Sequence, residues 1–171
     1  GVAAAGISYA GVNASGNALA QIGANTVINS YSASGRAGDI LMRARNQSTQ
    51  EALAVSAGLA FGGALVGAIV DISDTGSTGV VIGDGANIAS TGNITLLADE
   101  KARNSSQARG VAVAGGVGLS VISSDIDVDR DALVSVGNNA ALSADNITMT
   151  ASFADASNYI ADAQVLGASG G

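Results

Sequence analysis

The stretch GNITLLADE, residues 92–100, has a counterpart 54 residues earlier, GDILMRARN at 38–46, and another 53 residues later, DNITMTASF at 145–153. In this frame Ile40, Ile94 and Ile147 correspond, as do Met42, Leu96 and Met149, and Ala44, Ala98 and Ala151. The apolar positions recur every second residue, with Thr, Asn, Asp and Ser between them. That is the alternation of a half-buried strand, not the 3.6-residue period of a helix.

Around each copy stand DGAN (84–87), STGN (90–93) and SADN (143–146). Gly, Asn and Asp tolerate positive φ, so these are turns. A strand with one apolar face cannot bury that face alone. Stacked copies can, because Ile then sits on Ile and Ala on Ala while each backbone row pairs with the next. The expected fold is therefore all-β, a parallel β-solenoid (β-helix) built from repeats of about 54 residues, with Ile40, Ile94 and Ile147 as a structural ladder. Long alternations over Asn93–Ala114 and Asn146–Val165 favour long strands, whereas closely spaced turn signals between Gly79 and Gly92 favour short ones. One wide turn per repeat and two or three smaller ones both stay open. Upstream, TVIN (26–29), VVIG (80–83) and VSVG (134–137) are aligned. Residues 1–171 read as a single solenoid segment of about three repeats that opens and closes inside a repeat, as expected of a window of a longer array.

Composition agrees. Aromatic residues make up 3% and charged residues 12%, while 24 residues are Gly, and Pro, Cys, His and Trp are absent. A core without Trp must be filled by Val, Ile, Leu and Ala in closely spaced layers. The tracts 52–68 and 108–120 are so rich in Gly and Ala that the interior should be thin there. A net charge of −7 leaves no basic face for a phosphate backbone, so nucleic acid is excluded as a partner. The uncharged run ALAVSAGLAFGGALVGAIV, residues 52–70, has the length of a membrane helix. Its counterpart QARGVAVAGGVGLSVISSD, residues 107–125, carries Arg109 and a serine-rich end, and the helical span is set aside.

The frame GANIASTGNITLLADE (85–100), followed by GVAVAGGVGLSV (110–121), resembles the repeats of filamentous-haemagglutinin-like exoproteins and large bacterial surface adhesins of the leukotoxin or filamentous-adhesin type. That resemblance covers essentially the whole chain. It implies a right-handed parallel β-helix, export to the bacterial cell surface, and use as a long stalk or matrix fibre.

Site candidates are few. Asp125, Asp127, Asp129 and Asp131 alternate along SDIDVDRDA, so one strand face would carry all four. Carboxylates gathered in this way are weak candidates for a Ca²⁺ site. The competing reading is a solvated face that blocks unwanted strand pairing. An offset of 54 maps Asp125 onto Asp71 and Asn17, and Asp127 onto Ser73, so the acidic row is not repeated. Asn-x-Ser/Thr sequons occur at Asn13, Asn46, Asn93, Asn104 and Asn146, and a turn role accounts for the equivalent Asn93 and Asn146. Arg43, Arg45, Lys101, Arg103 and Arg109 lie near Glu51, Asp99 and Glu100, and the offset sets Arg45 over Asp99 as an aid to register.

There is no His or Cys, and no pair of carboxylates on separate elements suggests acid–base work. The expectation is not an enzyme and has no cofactor. It is a structural segment of an extracellular bacterial filament or giant surface adhesin, acting in cell adhesion or biofilm. Expected partners are further copies, head to tail or side by side, and host or cell-surface glycans. The alternatives are a ligand-binding β-solenoid that recognises glycan or ice through a flat face, and a membrane-inserting segment.

Overall fold

A computed structural model describes residues 2–30, 38–154 and 159–169. The described chain is all-β. It winds through three turns, each made of a long strand, a short strand and a second long run. The first contains β1 (Ala4–Ile22), β2 (Val27–Ser30) and β3 (Ile40–Ala60). The second contains β4 (Ala64–Ile82), β5 (Asn87–Ser90) and β6 (Asn93–Ala114). The third contains β7 (Gly118–Val136) and β8 (Ala141–Ser143), then β9 (Asn146–Ala154) and β10 (Tyr159–Ser169), which lie end to end along β6.

Like strands stack into three parallel sheets: β1-β4-β7, β2-β5-β8, and β3-β6 with β9 and β10. This is a β-solenoid in which one repeat makes one wide, flattened turn. Both strand lengths suggested by the sequence are present in every turn.

The register sets Ile40 beside Ile94 and Ile94 beside Ile147. It corrects the upstream alignment. Val80–Ile82 pairs with Ala20–Ile22, so the partner of VVIG is AQIG (20–23) and not TVIN. Ser30 pairs with Ser90, 60 residues on, whereas Ile40 pairs with Ile94, 54 residues on. The first turn is thus six residues longer, and the extra residues fall between Ser30 and Ile40. For the same reason Asp71 stands beside Gly11 rather than Asn17.

Each corner after a first long strand needs one residue in the left-handed region. Asn25 and Asn139 both have φ of 56° there, and Gly85 has 67°. These residue types reach that conformation at little cost.

The interior lies between the two long sheets, and its width follows from side-chain size. Near β2, β5 and β8 it is filled by Val80, Ile82, Ile88, Ile94 and Leu96, all fully buried. Toward the other edge Ala52, Ala54, Ala108 and Ala112 of β3 and β6 pack with Val66, Ala68 and Val70 of β4. There the sheets approach so closely that a Cβ on Gly58 would lie 2.8 Å from Val66 Cγ2, and one on Gly110 2.7 Å from Ile122 Cδ1. Each turn closes at that narrow edge through a three-residue bend, 61–63 or 115–117. The uncharged run 52–70 is therefore the end of β3, this bend and the start of β4; no helix among the described residues is long and apolar enough to cross a membrane.

Candidate functional site

The acidic row lies on β7 with Asp125, Asp127, Asp129 and Asp131 all exposed on its outer face. Successive outward residues of a strand stand about 6.6 Å apart, while Ca²⁺ draws its oxygens to about 2.3–2.6 Å. A straight strand does not converge four carboxylates on one ion. The neighbours in register are Asp71, Ser73, Thr75 and Ser77, which add only one more carboxylate. Among the described residues no group of three or more acidic side chains is placed to hold a metal ion. The row is an exposed polar face of β7.

The sequons divide by face. Asn13 is exposed on β1. Asn46 points inward and donates from Nδ2 to the Gly16 carbonyl at 2.8 Å, and Asn104 is fully buried. Asn93 and Asn146 form a corner ladder: Asn146 Nδ2 donates to Asn93 Oδ1 at 2.9 Å, and Asn93 Nδ2 donates to Asp39 Oδ1 at 3.1 Å. On the outer face Arg45 stands beside Asp99, and Arg43 and Arg45 reach its carboxylate at 2.8 and 3.4 Å. The hydrogen bond from Ser152, then that from Arg43, hold the Asp99 carboxyl below its usual range against the opposing effect of desolvation.

The most elaborate constellation is one that sequence reasoning missed. Arg130 shares SDIDVDRDA with the acidic row but points the other way, into the solenoid. It sits beside Gly76, with its side chain 2% exposed. Its Nε donates to Asp74 Oδ1 at 2.7 Å, its Nη2 makes a second bond to the same oxygen, and its Nη1 donates to Glu100 Oε1 at 2.7 Å. Both carboxylates have no exposure at all. Thr78 Oγ1 donates to Glu100 Oε2, and Asn104 Nδ2 donates to Asp74 Oδ2 at 3.0 Å. Burial works against the charge on Arg130, and the bonds to Asp74 and Glu100 more than offset it, so its pKa is raised.

Gly76 makes the space. A Cβ there would lie 2.1 Å from the Gly16 carbonyl oxygen and 3.0 Å from Arg130 Nη1. The signal available in the sequence was parity. Arg130 continues the inward series Ile126, Val128, and Glu100 continues Ile94, Leu96, Ala98. Glu100 belongs to this cluster, not with the surface cations of 101–109. Two buried acceptors next to it, Gln50 Oε1 and Asn104 Oδ1, have no hydrogen-bond partner, and their residues are neighbours in register.

The cluster ties β7 of the third turn to β4 and β6 of the second, across both long sheets. It is sealed from solvent, so it acts on the fold and not on a dissolved substrate. A scan against family models, a search of curated proteins and a search of solved structures each return no match to this chain.

Proposed function

We propose that the chain is a structural segment of an extracellular bacterial filament or large surface adhesin. Its work is reach and stiffness in a stalk or matrix fibre, in the service of cell adhesion or biofilm, with no catalytic role. The observation that carries this reading is the in-register stacking of all three sheets, turn upon turn. Apolar, amide and charged columns all run along one axis, and such an architecture lengthens by repetition alone.

Association follows from the same columns. Ile147, Met149 and Phe153 point inward from the third turn yet remain partly exposed. A further turn, from the same polypeptide or from another copy, would cover them. A head-to-tail contact of that kind does not close on a two-fold axis and extends into a line. Sedimentation velocity and negative-stain imaging across a concentration series test it. Linear assemblies one solenoid wide are expected, and a strictly monomeric chain at every concentration ends the self-association reading.

A second reading, recognition of glycans on a flat face, is favoured by the polar field of Asn13, Ser15 and Asn17 with Ser73, Thr75 and Ser77 and the acidic row. The ice-binding variant has less support, because the column Leu41, Thr95, Thr148 breaks its row of threonines. Saturable binding to a panel of immobilised glycans, lost in Ser73→Arg, is its test.

A further inference from the structure

The narrow edge is apolar on the outside as well as within. On the β1-β4-β7 sheet, Ile7, Tyr9, Leu65, Ile69, Leu119 and Val121 face outward, with Ile7 74% exposed. On the opposite sheet Leu59 and Val113 do so, and Phe61 caps the bend at 92% exposure. We propose that this edge is a wedge that enters the acyl region of one leaflet of a lipid bilayer, through hydrophobic contact with zwitterionic lipid.

Shape is the first argument. The apolar surface wraps a convex blade: two faces and the tip between them. A second copy laid flat would cover one face and leave Phe61 and the other face in water. One face, three turns tall and three outward residues deep, measures about 14 Å by 20 Å. That is about 300 Å², well short of the roughly 800 Å² per partner that a stable interface uses. A fluid apolar medium covers all three surfaces at once.

Charge is the second. Leu53–Val70 and Gly110–Ser124 contain no ionisable side chain. The first charged side chains back from the tip are Asp71 and Asp125 on one face and Arg109 on the other. From the bend to those residues is six to eight positions along the strands, or about 20–26 Å. That exceeds the ~15 Å depth of one hydrocarbon leaflet and falls short of the ~30 Å of two. The charges would come to rest at the headgroups, with the wedge dipping and not crossing.

The third is the backbone, which lipid leaves nothing to bond with. At the bends Gly62 N–H donates to Val2 O, Ala4 N–H to Gly63 O, Ala64 N–H to Val117 O and Gly115 N–H to Ala60 O, each at 3.0 Å. These four bonds tie the corner together from turn to turn.

The chain has no Trp, so Phe61→Trp places one reporter at the tip. The whole chain should float with phosphatidylcholine vesicles. In the Phe61→Trp variant the indole emission should move to shorter wavelength and be quenched by lipid brominated in the acyl chain. Leu59→Asp and Val121→Asp should each weaken flotation about tenfold or more. Leu133→Asp, at an exposed apolar site on the same sheet as Val121 but far from the edge, should leave it unchanged. Circular dichroism confirms that each variant is folded. Absence of flotation, flotation that requires anionic lipid, or flotation that survives both edge substitutions would overturn the proposal. So would an indole shift that follows protein concentration and not lipid, which would identify the edge as a contact between copies. None of these readouts depends on whether the solenoid polymerises lengthwise.

Discussion

The two halves of each turn differ in how much of the interior is Ala and Gly. Near β2, β5 and β8, Ile82, Ile88, Ile94 and Leu96 are inside, and Leu19, Val27, Leu41 and Leu133 stand outside among polar residues. Near the bends Ala52, Ala54, Ala108 and Ala112 are inside, while Leu59, Phe61, Leu119 and Val121 are outside. Hydrophobicity alone therefore does not say which way a residue of this chain faces. Parity along the strand does, and the size of the inward residues sets the distance between the sheets. Opposite Val66 and Ile122 only a Gly fits at positions 58 and 110, while Leu59 and Val113 on the same strands stand outside.

The Arg130 cluster stands between these halves, and breaking it should have the largest effect. Arg130→Leu leaves Asp74 and Glu100 buried without their countercharge, a loss of about 3–5 kcal/mol in urea denaturation. Replacing all three with Leu or Met should restore most of that loss. If Arg130→Leu cost under about 1 kcal/mol, the cluster would not join the halves. Within the wide half, Ile94→Ala opens a cavity the stacked neighbours cannot fill, at about 2–5 kcal/mol by the same measurement. In the narrow half the sensitivity reverses. Ala112→Leu should overpack the layer at about 1–3 kcal/mol, and an unchanged melting curve would mean that the two halves do not differ in thickness.

The smallest effect is electrostatic. The folded pKa of Asp99 is lowered, so its contribution is present above the unfolded value near 3.9 and is lost as pH falls through the folded one. Asp99→Asn should flatten stability against pH in that acid window and change little at neutrality. Arg130 has the opposite sign: its raised pKa means a contribution lost only as pH rises through a value far above any working pH. The buried cluster should add no arginine-derived pH dependence near neutrality.

The columns through Ile40, Ile94 and Ile147 were legible because strict alternation beside turn residues fixes both the element and its face. The six-residue difference between turns was not. Six is even, and an even slip keeps every side chain on its own face, so TVIN matches VVIG as plausibly as AQIG does. For Glu100 and Arg130 two rules conflict: charge argues for the surface, parity for the interior. Parity wins because a single outward flip would misplace every apolar neighbour on the strand. The acidic row was legible as sharing one face. That its register neighbours on β4 add only Asp71 follows once the pairing of β4 with β7 is known.

The 53- to 60-residue separation between stacked partners has a consequence for how the chain finds its fold. Apart from the tight bends, almost no pairing is local, so the first turn has nothing to close upon until a second has been laid beside it. Closing a loop of that length costs about 3–4 kcal/mol of chain entropy before any ladder repays it. Once two turns have paired, each later turn adds to an existing edge and meets its reward residue by residue. Folding should therefore be slow to start and quick to propagate, as is usual where contacts are distant in sequence. A preformed turn offered to the unfolded chain should act as a seed and shorten the lag.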